Sequence, residues 1–413
     1  NNKVRRSSGR AKPLVFELVK STIPSNDAMK VLQTLKLRQN REHWERIRGT
    51  SFLQADEVFL AKEVIKEKKL VTYFTNLQVG SQLFRVLLDT GSCEFWIPSS
   101  HCRSLRCSNH RQYDMELPNL KVFSGSKMNI EYISGKVAGP FLFETVKLGQ
   151  VEVTNQLVGV AAQIDIPLLD TVKWDGILGL AFPTAHLVSE GLSPFFDTVM
   201  RQKVLTNQGL LNQFAYYIDD EGGSFTLGGA NCDIFSEDQT PEGCADRFSF
   251  VPVSERTYWT LNLQDVRVKW PGKPELSGQC PADGCKAIID TGTYLIYGPH
   301  ETIHSTLMDT IASCDTHTDM PDLLFDIVGS DDELVTLKLR PVDYILKFRG
   351  RAKKVECVMG ISPDHDQVWT LGQVFLRAFY TIFDRDVNQV GFAPLNRKRF
   401  PLIEEKQNYA NDL

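Results

Sequence analysis

The stretch Val86-Leu87-Leu88-Asp89-Thr90-Gly91-Ser92 returns far downstream as Ala287-Ile288-Ile289-Asp290-Thr291-Gly292-Thr293. Each copy has a short apolar run before the Asp, as a buried strand would, and a second apolar run after it: Phe95-Trp96-Ile97-Pro98 in the first copy, Tyr294-Leu295-Ile296-Tyr297-Gly298-Pro299 in the second. A lone Asp-Thr-Gly marks an ordinary turn. Its recurrence in matched surroundings points to two similar halves that each deliver one carboxylate to a shared site. Like charges held close raise one of the two pKa values, so such a pair shares a proton. One carboxylate then takes a proton from water while the other, protonated, polarises a carbonyl. The residues around the Asp suit that arrangement. Thr90 and Thr291 offer hydroxyls to cross-link the loops, Gly91 and Gly292 let backbone N–H groups approach the carboxylates, and Ser92 and Thr293 are hydroxyl partners for the outer oxygens.

Further segments carry a resemblance to the pepsin-like aspartic endopeptidases over most of residues 70–395. Ile130-Glu131-Tyr132-Ile133-Ser134-Gly135 resembles the family's flap hairpin, with Tyr132 as the flap tyrosine and Trp96 as the tryptophan that bonds it. Trp174-Asp175-Gly176-Ile177-Leu178-Gly179-Leu180 and Trp369-Thr370-Leu371-Gly372 are similar to the apolar-Gly segments that run behind the two Asp loops. Phe375 to Asp384 and Val390 to Pro394 resemble the closing strands, and Tyr258-Trp259 a substrate-contacting aromatic pair. The resemblance implies a mainly all-β, bilobal pepsin-like fold and an aspartic endopeptidase without cofactor or metal, with Asp89 and Asp290 catalytic. It implies substrate contacts at Tyr132, Trp96, Ile133, Ser134, Gly135 and Tyr258. Three departures bear on subsite shape: Cys93 after Ser92, Tyr294 after Thr293, and Ile133 where glycine is common.

Nine cysteines in a chain of enzyme size need an explanation. The resemblance pairs Cys102 with Cys107, Cys280 with Cys285 and Cys314 with Cys357. Cys232 and Cys244 are a fourth candidate pair, and Cys93 is left over beside the first Asp. Zinc is the alternative for paired cysteines, but no histidines are interleaved at ligand spacing. Disulfides imply the secretory route, with the protein secreted or held in an acidic or secretory organelle. No Asn-x-Ser/Thr sequon occurs. The net charge of −5 gives no reason to expect nucleic-acid binding. No run of about eighteen apolar residues suggests a membrane-spanning helix. The polar, basic start Asn1-Asn2-Lys3-Val4-Arg5-Arg6 does not read as a signal peptide, so a leader is expected to have been removed or to lie upstream.

Residues 1–60 differ in character from the rest of the chain. Lys12 to Val19 alternates as a strand, Asp27 to Arg48 has near-helical spacing of Met29, Leu32, Leu35 and Leu37, and a second helical stretch runs from about Ala55 to Lys69. A basic strand and helices upstream of this fold resemble an α/β inhibitory prosegment, its end falling between residues 45 and 70. The alternative is a solvated helix pair belonging to the fold. Lys62, Lys66, Lys68 or Lys69 would bind a carboxylate-rich cleft at neutral pH and release it on acidification. An N-terminal lobe is then expected over 70–235, a C-terminal lobe over 236–395, and a charged tail, disordered or surface-packed, over 396–413. The expected protein is a monomer acting on protein or peptide substrates, with its own prosegment as intramolecular inhibitor. The basic prosegment, missing sequons, Cys93 and charged insertions are similar to those of apicomplexan plasmepsins of the IX and X type, which would place it in a parasite secretory vesicle. Glycosidases also use two carboxylates but need neither duplicated loops nor a tyrosine flap. A non-catalytic binding or inhibitor module on the same fold is the remaining alternative, though such relatives usually lose one Asp-Thr-Gly and both stand here.

Overall fold

The computed structural model describes residues 12–22, 71–132, 135–219, 222–235, 244–307, 319–330, 333–349, 355–364, 367–395 and 402–403. The two expected helical stretches, and with them Lys62, Lys66, Lys68 and Lys69, lie outside those residues, as do Ile133, Ser134 and Cys314.

The fold is mostly β, and its two halves repeat one device. Strand Gln82–Asp89 runs antiparallel to Val71–Val79 and parallel to Gly176–Gly179, which in turn is antiparallel to Phe95–Pro98. Gly176–Gly179 therefore threads between the two legs of the first Asp loop. Leu180 N–H donates to the Asp89 carbonyl at 2.7 Å, Ala181 N–H to Ser92 at 2.9 Å, and Gly179 N–H to Glu94 at 3.0 Å. A side chain at Gly179 would stand 2.5 Å from the Cys93 carbonyl carbon, so only glycine lets the strand lie this close to the loop. In the second half, Cys285–Ile289 runs parallel to Val368–Leu371, itself antiparallel to Ile296–Pro299. Asp290 N–H donates to Leu371 at 3.2 Å, and Gln373 N–H to Thr293 at 2.8 Å. A methyl on Gly372 would stand 2.5 Å from the Thr293 oxygen, the same restriction as at Gly179.

A shared sheet joins the halves. Strand Gln213–Ile218 pairs on one side with Gly223–Leu227 and on the other with Phe379–Asp384, which continues to Gln389–Pro394 and Ser249–Pro252. The strand expected from Lys12 to Val19 is found at Leu14–Thr22. It lies inside this sheet, pairing antiparallel with both Gly223–Leu227 and Val71–Val79. Its alternation buries Leu18 while leaving Val15 and Val19 exposed. Beneath the sheet, Phe214 stacks on Phe383 at 4.8 Å, with Trp259 edge-on to Phe383 at 5.0 Å.

The tail is described at one place. Leu402–Ile403 forms a short strand pairing parallel with Lys347 and Phe348 of the edge strand Ile345–Arg349. An edge strand offers unpaired backbone groups, and two apolar residues within the charged tail are the pair that meets them.

Candidate active site

The two Asp loops meet where the halves join, and the threonines lock them together. Thr90 N–H donates to Thr291 Oγ1 at 3.0 Å and Thr291 N–H donates to Thr90 Oγ1 at 2.9 Å. The Thr90 hydroxyl donates to the Ile289 carbonyl at 2.7 Å, and the Thr291 hydroxyl to the Leu88 carbonyl at 2.8 Å. Both threonines are buried, so each bond is made away from competing water. Gln373 steadies the second loop, its side-chain amide donating to the Thr291 carbonyl at 2.9 Å.

Each carboxylate is then held by its own loop. Asp89 accepts Gly91 N–H at 2.8 Å on Oδ1 and the Ser92 hydroxyl at 2.5 Å on Oδ2. Asp290 accepts Gly292 N–H at 2.8 Å and Thr293 N–H at 3.3 Å on Oδ1, and the Thr293 hydroxyl at 2.6 Å on Oδ2. The glycines are needed because the opposite carboxylate lies against them. A methyl on Gly91 would stand 2.6 Å from Asp290 Oδ2, and one on Gly292 would overlap Asp89 Oδ1. Every residue of the two motifs thus converges on one small volume.

Burial and the neighbouring charge of Asp290 push the Asp89 carboxyl well above its ordinary value, against the lowering effect of the Ser92 and Gly91 bonds. Asp89 is buried and Asp290 half-buried, and the two carboxylates hold one proton as a pair.

Tyr132 closes the site from the flap strand Met128–Tyr132, which pairs antiparallel with Gly135–Gly139. Trp96 Nε1–H donates to its hydroxyl at 2.9 Å. Burial and the charge of Asp89 raise the phenol well above its ordinary value, so it stays a neutral hydroxyl able to donate. Ser92, whose hydroxyl donates to Asp89, partly offsets that rise. Gly135 has φ +142°, and a Cβ there would collide with the Asp165 carbonyl, so the flap's return strand requires glycine.

Of the aromatic pair, one member belongs elsewhere. Trp259 is fully buried, donates Nε1–H to the Leu180 carbonyl at 3.0 Å and packs on Phe182 at 4.8 Å. It is a core residue joining the halves behind the first loop, not a substrate contact. Tyr258, 42% exposed, lies within electrostatic reach of both Asp89 and Asp290. Cys93 is buried, and burial with the adjacent Glu94 charge pushes its thiol up, which leaves it no nucleophilic thiolate. The expected disulfides Cys102–Cys107, Cys280–Cys285 and Cys232–Cys244 are formed, and Cys357 is also disulfide-bonded.

Sequence reasoning missed two neighbours of the site. Asp175, quoted only as part of an apolar-Gly segment, is fully buried and held by the Arg85 guanidinium at 2.7 and 3.2 Å. Glu94, the charge directly after Ser92-Cys93, was passed over. The signal for both was an acidic residue inside an otherwise apolar run.

Comparison with known proteins agrees with this geometry. The family model "Eukaryotic aspartyl protease" matches residues 72–395. Plasmepsin VII of Plasmodium falciparum (isolate NF54) is 36% identical over 375 residues, covering 82% of each chain. Plasmepsin VII of Plasmodium berghei (strain Anka) is 34% identical over 384 residues, 83% of this chain and 79% of its own. Pepsin A of Sus scrofa is 32% identical over 342 residues, 78% of this chain and 81% of its own. The finer likeness to the IX and X type finds no support here, since the plasmepsins matched carry the name VII.

Proposed function

The chain belongs to the eukaryotic aspartyl proteases, the pepsin-like family, and we propose that it hydrolyses peptide bonds with Asp89 and Asp290 as its acid–base pair. The observation that carries this reading is the cross-linking of two intact Asp-Thr-Gly loops through Thr90 and Thr291, which brings both carboxylates to one point. A water between them attacks the substrate carbonyl carbon while Asp290 takes its proton and Asp89 gives its own to the carbonyl oxygen. The resulting gem-diol collapses as the C–N bond breaks. The amine nitrogen takes the proton from Asp290, and a gem-diol hydroxyl returns one to Asp89. The products are a carboxylic acid and an amine, with the pair restored. Tyr132 covers the reacting bond, held by Trp96, and Tyr258 contacts substrate from the second half. Peptide cleavage blocked by a statine-containing transition-state mimic supports this mechanism. Cleavage that ignores the mimic contradicts it, and no cleavage favours the non-catalytic module.

The finer reading is of an inactive precursor, in which residues 1–60 form a prosegment, residues 70–235 and 236–395 the two lobes, and residues 396–413 a tail. It is supported by Leu14–Thr22, which holds an interior place in the sheet that joins the halves. In this reading the acid trigger is a set of carboxylates at the cleft that pair with prosegment lysines such as Lys62, Lys66, Lys68 or Lys69 at neutral pH. Those carboxylates, with pKa values depressed by prosegment cations, lose that stabilisation as pH falls through their folded values. Incubating the full chain at neutral and at acidic pH, following size and activity together, tests this. Full activity at neutral pH with residues 1–60 attached would remove the prosegment role. Three disulfides support a reading in which the protein works in an oxidising compartment, as a monomer that processes other secretory-pathway proteins. No helix among the described residues is long and apolar enough to cross a membrane.

A further inference from the structure

Glu94 lies two residues after Ser92 of the first Asp loop, and it has no positive partner among the described residues. Its carbonyl accepts Gly179 N–H at 3.0 Å, which fixes its backbone to the strand threading the first Asp loop. Ser92, two residues before it, bonds Asp89, and Trp96, two residues after it, bonds Tyr132. The Glu94 side chain is half-buried between the buried residues Cys93 and Phe95. Its charge reaches the phenols of both Tyr132 and Tyr258, one on the flap and one on the second half. Tyr258 is in turn within electrostatic reach of Asp89 and Asp290. The carboxylate lies beside the Cys93 thiol, a weak donor whose ionisation it opposes. Among the described residues no lysine, arginine or histidine lies within ion-pair distance of it, whereas the flap's Glu131 is matched by Lys136 and Glu255 by Lys286.

A half-buried carboxylate without a cation is costly, and it becomes more so when a substrate displaces water from the cleft. A positively charged side chain on the substrate reverses that cost. We propose that Glu94 is a specificity determinant that takes a lysine or arginine side chain of the peptide substrate, at a subsite between the flap tyrosine Tyr132 and Tyr258. The inference rests on the endopeptidase reading and adds a substrate class to it: peptides with a basic residue close to the cleaved bond.

The test uses the full chain with sets of peptides that differ only in Lys, Met or Glu at each position flanking the scissile bond. For one flanking position, the Lys peptide should have a kcat/KM roughly fivefold above its Met counterpart, more in low salt than in high. In Glu94→Gln that ratio should collapse to about one, and in Glu94→Lys the order should invert in favour of the Glu peptide. Inversion of preference is a change that a purely structural role for Glu94 would not produce. Cleavage of Lys and Met peptides at equal kcat/KM at every position overturns this inference and leaves the endopeptidase reading standing. A preference for Lys that survives Glu94→Gln unchanged overturns it as well. Failure to cleave any peptide overturns both.

Discussion

Thr90 and Thr291 exchange hydrogen bonds in both directions, each backbone N–H reaching the other's hydroxyl oxygen at 2.9 to 3.0 Å. Each hydroxyl also donates to the carbonyl of a residue near the start of the opposite loop, Ile289 or Leu88. Four buried bonds therefore tie the halves together directly beneath the carboxylates, so the distance between Asp89 and Asp290 is set by backbone geometry and not by side-chain rotation.

Replacing Thr90 with valine keeps the shape and removes the hydroxyl. The Ile289 carbonyl and the Thr291 N–H then lose their partners in a buried setting, which should cost about 2–4 kcal/mol. Denaturant unfolding should register that loss, and activity should fall at least tenfold (about 1.4 kcal/mol or more) because the pair is no longer held in register. A variant as stable and active as the parent would show that the threonines do not set the spacing.

Asp89→Asn and Asp290→Asn should each lower kcat by about a thousandfold or more, the range expected for losing a general acid or base. Their folds should persist, since the amide keeps the acceptor oxygen for one loop bond. Asp89→Asn carries a second signature. The folded Asp89 holds its proton to higher pH than the unfolded chain does, so its stabilising contribution is complete below the unfolded pKa and is lost as pH rises through the folded value. The parent should therefore lose stability between acid and neutral pH, and the Asn variant should lose less. Parallel pH profiles for the two would place the shared proton elsewhere.

Tyr132→Phe removes only the hydroxyl that receives Trp96 Nε1–H at 2.9 Å. Stability should fall by about 1 kcal/mol, because a buried indole N–H is left unpaired. The kcat/KM should fall roughly three- to tenfold as the flap loses its anchor, while the hydrolysed bond stays the same. An unchanged kcat/KM would mean that the Tyr132 hydroxyl has no part in closing the site.

The Asp loops were legible because a duplicated motif states its own geometry: the residue types around each Asp name the bonds they make. The strand at Leu14–Thr22 was legible from alternation, but its partners were not. Alternation fixes which face of a strand is apolar, and pairing is settled by neighbours far along the chain, here Gly223–Leu227 and Val71–Val79. Trp259 was misread for a related reason. The resemblance gave it with Tyr258 as a substrate-contacting pair, yet the strand Trp259–Lys269 begins there and turns its indole into the core. Glu94 and Asp175 were missed because a charged residue within an apolar run has no periodicity of its own, and only its surroundings separate a solvated carboxylate from a buried one.

Asp175 gives the last prediction. It lies fully buried just before the strand that threads the first Asp loop, and Arg85 binds it through its guanidinium and its backbone N–H. Burial alone would raise its carboxyl. The His110 ring, the Arg85 bonds and the Arg111 N–H outweigh burial and hold it down at about 2. A depressed carboxylate contributes stability that is present above its unfolded pKa and is lost as pH falls through the folded value. Asp175 thus stays ionised through the acid range in which a pepsin-like pair works, and it anchors the start of the strand that threads the first loop. Asp175→Asn leaves Arg85 without its carboxylate and should cost about 3 kcal/mol at neutral and mildly acidic pH. The gap between parent and variant should narrow only near pH 2, where the parent's own carboxylate takes up its proton. Chemical denaturation of both proteins across that range reads the gap directly. A gap that closes well above that pH, or is absent at neutrality, would mean that the Arg85–Asp175 pair does not secure the strand behind the first loop.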